Sequence, residues 1–387
     1  MDPFYRPTYV EISLDALRHN LQAFRAVLPR DTRIMAVVKG NAYGHGAVQI
    51  AAEAVACGAD YLGVALLDEA LELRRAGITA PVLVLGYTPP EGIDAAIEHD
   101  VTLTAYSEDM LAALSARPAA ERRLKVHVKV DTGMGRLGFT DAGEAIRYIR
   151  GLSALPSVCV EGVFTHYARA DERDKRHVAL QSERFRLLIE RCRASGIEFR
   201  YAHAGNSATA IDTPELAYNM VRLGISMYGM YPSDEVDRSR VVLEPVMRFV
   251  SRVVMVKDVP AGTPIGYGGT YTAGGNERIA TIPVGYADGY TRLLSGRAYV
   301  LIRGERRPIV GRICMDQCMI DATGLDVRIG DEVVLICSQG TERITADELA
   351  KTLGTINYEV TSKIANRVPR IYVRNGKRVG VVNPLLH

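Results

Sequence analysis

The lysine at position 39 is the first residue of this sequence whose position suggests chemistry. It ends the apolar run Ile34–Val38, which predicts a β-strand, and the glycine-containing segment 40–46 follows it directly. A lysine amine that is withdrawn from water has a lowered pKa, and it can then form a Schiff base with a carbonyl compound. Taken alone, such a lysine is more often a residue whose ammonium group reaches water from a strand edge.

Two later segments have the composition of a phosphate-binding site. Ala204–Ser207 and Leu223–Ser226 each contain a glycine and a serine. Backbone N–H groups at such turns and at a helix start bind phosphate, although glycine and asparagine also occur in ordinary turns. A lysine and a phosphate site together are more informative than either alone, and they indicate pyridoxal phosphate as the cofactor.

Three other patterns in the sequence are weaker evidence of function. The segment Gly133–Gly138 fits G-x-G-x-x-G, but the predicted helix begins near Asp141, beyond the last glycine, so a dinucleotide site is not favoured. His166 ends a predicted strand, where a single histidine is more often a hydrogen-bonded structural residue than a catalyst. Cys314 and Cys318 do not have the spacing of zinc ligands.

The elements that carry these residues alternate between short apolar runs and helical patterns over residues 1–240, which is typical of βα units. Eight strands with eight connections predict a closed (β/α)8 barrel of the TIM type, in which active sites lie at the C-terminal ends of the strands. An open doubly wound sheet is the alternative. The predicted strands are Arg33–Val38, Tyr61–Ala65, Val82–Leu85, Val101–Thr104, Leu124–Asp131, Val160–His166, Tyr201–Gly205 and Met220–Leu223.

The predicted strand Leu124–Asp131 supports the barrel. With a side-chain period of two, three valines share one face, whereas His127, Lys129 and Asp131 share the other. A polar face is unusual on a plain buried strand. It suits the interior of a barrel that opens on an active site.

From about Val241 the pattern changes to strands separated by glycine-rich turns, with one helix, Thr345–Leu353. We therefore predict a mostly β second domain over residues 241–387. Because the barrel already has eight strands, we expect the short strand Thr8–Ile12 to pair with this second domain. The strands predicted within it include Phe249–Val256, Arg278–Pro283, Tyr299–Arg303 and Val333–Cys337.

The composition excludes several classes of protein. The 47 Lys+Arg and 45 Asp+Glu residues leave a net charge of +2, which does not favour a nucleic-acid or membrane partner. No apolar run approaches the ~18 residues of a membrane-spanning helix, and the N-terminus lacks the pattern of a signal peptide. The six cysteines are scattered through a chain in which no export signal is visible, so we expect them to be reduced. We therefore expect a cytoplasmic protein.

Several long motifs, taken together, resemble those of the alanine racemases, a family of barrel-type pyridoxal-phosphate enzymes. The resemblance runs through nearly the whole chain and implies a (β/α)8 barrel followed by a β domain. One departure is Gly40, where alanine is common in the family, and we expect it to have little effect. The motifs are Ala36–Gly46, Val130–Gly138, Asn206–Ser207, Asn219–Ile225, Gly266–Gly268, Ile282–Gly289, Val310–Cys318 and Ile356–Val360.

The resemblance implies a cofactor site in which Lys39 binds pyridoxal 5'-phosphate covalently and Arg222 faces the pyridine nitrogen. The phosphate would be surrounded by Tyr43, Ser207, Gly224, Ile225 and Tyr358. The full set of residues expected at the cofactor is Lys39, Tyr43, His166, Asn206, Ser207, Arg222, Gly224, Ile225 and Tyr358.

The resemblance also implies interconversion of L-alanine and D-alanine by two bases on opposite faces of the substrate. Lys39 would serve the D enantiomer and Tyr267 the L enantiomer. Free tyrosine has a pKa of about 10, so hydrogen bonds from Tyr267 through His166 to Arg222 would have to lower it. The reaction would supply D-alanine for peptidoglycan or serve alanine catabolism.

Further residues are assigned to the substrate and to a homodimer by the same resemblance. Arg136 and the backbone at Met315 would bind the substrate carboxylate, and a carbamylated Lys129 would orient Arg136. Tyr267 and the stretch Cys314–Asp316 would come from the partner subunit. Tyr286 and Tyr358 would narrow the entrance, which argues against long substrates. Asp316 is included as a supporting residue.

Two alternatives remain open from the sequence. One is a different reaction on the same scaffold, either racemisation of a broader set of amino acids or decarboxylation of a basic one. The other is a non-catalytic pyridoxal-phosphate-binding protein. Such a carrier would need only the barrel, whereas here a second domain provides Tyr267.

Overall fold

The computed structural model describes residues 4–119 and 121–386, so the termini of the two predicted domains, 1–3 and 387, lie outside the described residues. The described chain forms two compact units. A barrel unit contains residues Leu17–Ala42 and Ala47–Glu244, and a β unit contains residues 4–16, Tyr43–Gly46 and 245–386. The first strand of the chain, β1 (Tyr9–Ser13), belongs to the β unit.

Eight parallel strands form the barrel unit. Most of their residues are buried, as expected for strands covered by helices. The strands are β2 (Arg33–Val37), β3 (Tyr61–Val64), β4 (Val82–Val84), β5 (Thr102–Ala105), β6 (Leu124–Lys129), β7 (Val158–Phe164), β8 (Tyr201–His203) and β9 (Met220–Leu223). All eight predicted strands are therefore confirmed to within a few residues.

The barrel sheet has the order β8-β7-β6-β5-β4-β3-β2-β9. The two outer strands approach each other through the amide of Asn219, which donates to the carbonyl of Ala202 at 3.2 Å, and through the Asn219 side chain, which accepts from the Ala202 amide at 2.8 Å. The sheet is thus nearly closed. The predicted TIM-type barrel is confirmed, and the open doubly wound sheet is wrong.

Helices cover the outside of the barrel unit. The helix Ala142–Ser153 shows why they form: the Asp141 side chain caps its first turn by accepting from the Glu144 amide at 2.8 Å, and its apolar residues recur on one buried face. The other helices that end or lie in this unit are Leu14–Val27, Ala47–Ala56, Leu67–Arg75, Ile93–Glu98, Glu108–Ser115, Arg176–Ala194 and Ser207–Asp212.

The β unit contains one large sheet and a two-stranded hairpin. Its further strands are β10 (Met247–Arg252), β11 (Met255–Val259), β12 (Pro264–Ile265), β13 (Tyr271–Thr272), β14 (Glu277–Ile282), β15 (Tyr299–Ile302), β16 (Glu305–Val310), β17 (Cys318–Asp321), β18 (Glu332–Gln339), β19 (Glu342–Ile344), β20 (Arg370–Arg374) and β21 (Lys377–Val382). The main path of the sheet is β11-β14-β17-β16-β15-β18-β10-β1-β20-β21. Two helices, Ala346–Leu353 and Asn357–Ser362, complete the unit.

One predicted strand of this unit is wrong in extent. The apolar run Phe249–Val256 forms two strands, because the chain changes partners at Val253. The amide of Val253 bonds to Asp331, while the amide of Val254 bonds to Thr281 on β14. A continuous apolar run predicts extended backbone, but it does not indicate that the backbone leaves one neighbour for another.

No helix within residues 4–119 and 121–386 has the length and apolar character needed to cross a membrane.

Candidate active site

Lys39 lies two residues beyond the last residue of β2, at the C-terminal end of a barrel strand, and it begins a turn of left-handed backbone. The four residues after it, 40–43, have φ angles of 62°, 52°, 53° and 53°. L-residues rarely adopt this region, and only Gly40 does so without steric cost. Strain of this kind persists where the surrounding structure fixes the backbone, and it is concentrated at functional sites.

Hydrogen bonds within the barrel unit hold this turn. The Gly40 amide donates to Glu69 Oε1 at 2.7 Å, and Glu69 Oε2 accepts from the amides of Ala65 at 2.7 Å and Leu66 at 3.2 Å. Glu69 therefore ties the backbone after Lys39 to the segment after β3. This role could not be predicted from the sequence, because an acid in the first turn of a helix is already explained by the helix dipole.

The surroundings of Lys39 favour its unprotonated form. Burial lowers the pKa of Lys39 below its ordinary value, the positive charges of Arg136 and Arg222 lower it as well, and Glu69 acts in the opposite direction. A larger fraction of the amine is then free at neutral pH. That is the state which a nucleophile or a proton acceptor requires.

Arg222, on β9, is buried and donates to two histidines. Its Nη1 donates to His203 Nδ1 at 2.8 Å and its Nη2 to His166 Nδ1 at 2.9 Å. Nη2 also donates to the carbonyls of Ala204 at 2.8 Å and Thr165 at 3.0 Å. Burial lowers the pKa of Arg222 to about 9, so the group is still charged at neutral pH. Burial and the charge of Arg222 hold the pKa values of His166 and His203 well below the ordinary one, so both rings are neutral acceptors.

Lys129 ends β6 with its amine buried. Nζ donates to the carbonyl of Val130 at 2.7 Å and lies 5.3 Å from the centroid of the Phe164 ring. Burial lowers the pKa of Lys129 to about 7, and the charge of Arg222 contributes to this shift. A large fraction of the amine is therefore free at neutral pH.

Asp131 shapes the loop that carries Arg136. Its Oδ1 accepts from the amides of Gly133 at 2.9 Å and Met134 at 2.7 Å, and its Oδ2 accepts from the amide of Arg136 at 2.8 Å. Burial works to raise the pKa of Asp131, but these backbone donors outweigh it and hold the pKa below its usual value. The segment that resembled a dinucleotide motif is thus a loop built around a carboxylate.

The predicted phosphate segments meet at Ser207. Its Oγ accepts from the amides of Gly224 at 3.0 Å and Ser226 at 3.4 Å. Among the described residues, the buried hydroxyl of Ser226 has no hydrogen-bond partner. The Asn206 side chain caps the helix that starts at Ser207 by accepting from the Thr209 amide at 3.1 Å. Ile225 is buried next to Gly224. Hydroxyl groups and backbone amides of this kind fit a phosphate group.

In the β unit, the structure brings Tyr43 and Tyr358 together, with ring centroids 6.0 Å apart. The segment that carries Tyr43 is held by Arg370, whose Nε donates to the carbonyl of Gly44 at 3.2 Å. A side chain at Gly44 would collide with the carbonyl of Thr361, 2.1 Å away. This close approach requires a glycine and fixes the spacing of the two tyrosines.

Tyr267, Tyr286 and Met315 lie on exposed turns of the same β unit. The carbonyl of Met315 accepts from the Ala287 amide at 3.0 Å, and the carbonyl of Cys314 accepts from the Tyr286 amide at 3.0 Å. The turn of Tyr267 packs against Arg312, since a side chain at the neighbouring Gly266 would lie 3.3 Å from the Arg312 amide.

The side chains of Tyr267, Tyr286 and Met315 are exposed and do not belong to the buried core. The exposed fractions of Tyr267, Tyr286 and Met315 are 68%, 42% and 52%. A group of large apolar side chains exposed on neighbouring turns is typical of a binding or subunit interface, whereas single exposed ones are ordinary.

A buried carboxylate, Asp288, orders the turn that carries Tyr286. It accepts from both Nη atoms of Arg6 at 2.6 Å, from Arg367 Nε at 2.7 Å and from the Gly285 amide at 2.9 Å. Arg367 also donates to the predicted site residue Asp316 at 2.6 Å. Neither Asp288 nor Arg367 was predicted as a site residue, because their partners are distant in sequence.

The predicted site residues therefore fall into two groups. The barrel unit holds Lys39, Lys129, Arg136, His166, Asn206, Ser207, Arg222, Gly224 and Ile225, and the β unit holds Tyr43, Tyr267, Tyr286, Met315, Asp316 and Tyr358. Within the described residues, no cluster of three or more His, Cys, Asp or Glu side chains is suited to hold a metal ion.

A barrel with a lysine at the end of its first strand, and a separate β domain, define a class of two-domain barrel enzymes. The family model for the N-terminal domain of alanine racemase matches residues 12–232, and the model for the C-terminal domain matches residues 246–372. The chain belongs to the alanine racemase family, and it is therefore an enzyme, an isomerase of amino acids.

Individual relatives agree with this membership. An alanine racemase of Desulforamulus reducens is 46% identical over 95% of this chain and 99% of its own length. The crystal structure of alanine racemase from Bacillus anthracis with bound L-Ala-P is 43% identical, covers 100% of both chains and has a TM-score of 0.95. A histidine racemase from Leuconostoc mesenteroides subsp. sake is 32% identical over 96% of this chain and 99% of its own, with a TM-score of 0.89.

Proposed function

We propose that this protein interconverts L-alanine and D-alanine with pyridoxal 5'-phosphate as its cofactor. The observation that carries the proposal is a partly buried lysine with a lowered pKa, at the end of a barrel strand, in a chain of the alanine racemase family. The reaction would supply D-alanine for peptidoglycan or serve alanine catabolism.

The residues of the barrel unit fit the cofactor. Ser207 and the amides of Gly224 and Ser226 would hold its phosphate, Lys39 would bind it covalently, and Arg222 would donate toward its ring nitrogen. Asn206, Ile225, His166, Tyr43 and Tyr358 would complete its surroundings. When bound, this group withdraws electrons from the substrate and makes the proton on Cα acidic.

Racemisation needs removal of a proton from one face of Cα and return of a proton to the other, and two residues on opposite faces do this directly. We assign proton removal to Lys39 for the D enantiomer and to Tyr267 for the L enantiomer. The hydrogen bond from Arg222 to His166 Nδ1 leaves the proton of that ring on Nε2, where it can be donated to the oxygen of a tyrosinate. Arg136 would bind the substrate carboxylate, with Met315 from the partner subunit of a homodimer.

An assay of purified protein tests this proposal. With added pyridoxal phosphate, L-alanine should be converted to the racemic mixture, and the rate should fall when the cofactor is removed. Lys39→Ala should abolish both the activity and the visible absorbance of the bound cofactor. If this variant still absorbs visible light and borohydride reduction still attaches the cofactor covalently to it, another lysine binds the cofactor.

The histidine racemase with the same fold makes a broader or different amino-acid specificity the second candidate. Turnover of L-alanine should exceed that of L-serine, L-histidine, L-lysine and L-arginine. Preference for a basic substrate, or release of CO2 from one, would favour the second candidate. Cofactor binding without turnover of any of them would favour a non-catalytic carrier.

A further inference from the structure

Arg222 is the first of four polar side chains that contact one another in a row inside the barrel, each on one of four neighbouring strands. Arg222 on β9 bonds to His203 on β8 at 2.8 Å, and His203 Nε2 lies 2.9 Å from His127 Nδ1 on β6. His127 Nε2 lies 3.7 Å from Glu161 Oε2 on β7, an electrostatic contact longer than a hydrogen bond. The row therefore connects the candidate site to a carboxylate in the middle of β7.

The chemistry of the first residue fixes the protons of the others. A guanidinium only donates, so His203 Nδ1 must be an acceptor and the proton of a neutral His203 ring must be on Nε2. That proton is donated to His127 Nδ1, so the proton of a neutral His127 is on Nε2, facing Glu161. Burial keeps both rings neutral, since it lowers the pKa values of His127 and His203.

The structure makes room for this arrangement. Both histidines are completely buried. The residue after Glu161 is Gly162, and a side chain there would lie 2.8 Å from His127 Nδ1. The pairing of β6 with β7 shifts register between Val126 and His127, which is the point where the ring enters the interior. A glycine and a bulge at one position indicate a built site for the imidazole rather than chance packing.

We propose that Glu161 is a positioning residue that locks the tautomers of His127 and His203 and thereby holds Arg222 as a donor in the active site. This inference rests on the proposed function. A negative charge at Glu161 stabilises a proton on His127 Nε2. Without the charge, only the contact with Arg222 opposes reversal of the two protons, and in the reversed arrangement His203 Nδ1–H would face a donor of Arg222 at 2.8 Å. Two facing donors repel, so Arg222 would move and its hydrogen bond to His166 would weaken.

Several groups around Glu161 keep it ionised. Its Oε1 accepts from Arg200 Nη1 at 3.3 Å, and its Oε2 accepts from the Tyr61 hydroxyl at 3.3 Å. Burial works to raise the pKa of Glu161, but His127, Lys125 and Arg200 together hold it below the ordinary value. The carboxylate is thus charged throughout the neutral range.

Nitrogen-15 NMR of histidine-labelled holoenzyme tests the lock without relying on activity. Side-chain signals of His127 and His203, assigned by single substitutions, should show both rings protonated at Nε2 alone at neutral pH. Protonation at Nδ1 in either ring, or of both nitrogens, would overturn the proposal.

Glu161→Gln removes the charge and offers a group that can donate as well as accept. We expect Nδ1–H signal to appear in both rings and kcat for alanine to fall roughly tenfold, the size expected for one weakened hydrogen bond to a charged group. Glu161→Asp restores a carboxylate and should recover the wild-type tautomers. Glu198→Gln, an exposed glutamate with the same change of charge, is the matched control and should alter neither readout.

The outcomes separate this inference from the proposed function. If wild-type protein does not racemise alanine, the proposed function fails, while the tautomer measurement still decides the lock. If wild-type protein racemises alanine but Glu161→Gln leaves the tautomers and kcat unchanged, only the lock is overturned. If Glu161→Gln does not fold, the wild-type tautomers and the Glu161→Asp variant decide it.

Discussion

At the scale of single residues, Lys129 shows how burial changes what an amine can do. Burial, reinforced by the positive charge of Arg222, lowers its pKa to about 7, against 10.5 for an ordinary lysine. The free, neutral amine forms an N–C bond with CO2 and releases a proton, which leaves a carbamate whose negative charge is stabilised by the charges of Arg222 and Arg136. We therefore expect Lys129 to be carbamylated.

Carbon-13 NMR of protein equilibrated with labelled bicarbonate should show one carbamate signal, which is absent from Lys129→Gln. The signal should grow as pH rises from 6 to 8, because deprotonation precedes the reaction. The unmodified protein should also gain stability as pH rises from about 7 toward 10.5, since only the unfolded chain then binds the proton. A carbamate signal that Lys129→Gln retains would assign the modification to another lysine.

Tyr267 is the second residue on which the proposed reaction depends. Tyr267→Phe removes only the hydroxyl of an exposed side chain, so the fold and cofactor binding should be unchanged. Racemisation should fall by at least ~100-fold, the usual contribution of a general acid or base, and most severely from L-alanine. Rates from both enantiomers, measured beside the visible absorbance of the cofactor, check this. Full activity of the variant would contradict a two-base reaction.

At the scale of elements, the left-handed turn 40–43 determines where the lysine before it points. Gly40 has open space around the position of a Cβ atom, so alanine fits sterically but must take a φ of 62°. Gly40→Ala should lower the free energy of unfolding by about 1 kcal/mol and leave activity nearly unchanged. Gly275→Ala, at a glycine without positive φ and also in open space, is the control and should not destabilise. Equal losses in both variants would show that the turn is not strained.

The turn that carries Tyr286 depends on a buried carboxylate. Asp288→Asn weakens the hydrogen bonds from Arg6 and Arg367, and it should lower the free energy of unfolding by about 2 kcal/mol at pH 7.

The pH dependence of this effect has a defined sign. Burial works to raise the pKa of Asp288, but Arg6 and Arg367 hold it below the ordinary value. Its charge therefore stabilises the fold above the unfolded pKa of about 3.9 and loses this effect as pH falls through the folded pKa. Denaturant titrations of both proteins at pH 7 and in acid should show the difference shrinking in acid. A difference independent of pH would contradict the role of the charge.

The elements themselves were largely predictable. Most barrel strands contain short apolar runs or alternating valines, and helix starts such as Asp141 and Thr345 follow from local capping chemistry, so both can be predicted from short stretches of sequence. The change of partner at Val253 did not follow, because an apolar run does not specify its neighbours. Asp288 was missed because its partner Arg6 lies far away in the chain, and the bond of Glu69 to Gly40 was missed because the helix dipole already explains an acid at that position.

At the scale of the whole molecule, the candidate site residues are divided between two units of the chain. The family motifs predicted those residues, but neither composition nor periodicity shows whether the residues of one site come from one subunit or from two. We propose that the active form is a homodimer in which Tyr267 of one chain serves Lys39 of the other. The exposed side chains of Tyr267, Tyr286 and Met315 support an interface there.

Mixing two inactive variants tests this arrangement most directly. Lys39→Ala and Tyr267→Phe proteins would be co-refolded or co-expressed, and alanine racemisation measured. If the two residues act between subunits, each heterodimer has one intact site, and random pairing should restore roughly a quarter of wild-type activity. If the two residues act within one chain, no intact site can form, and a mixture that stays inactive despite proven heterodimers would contradict the account.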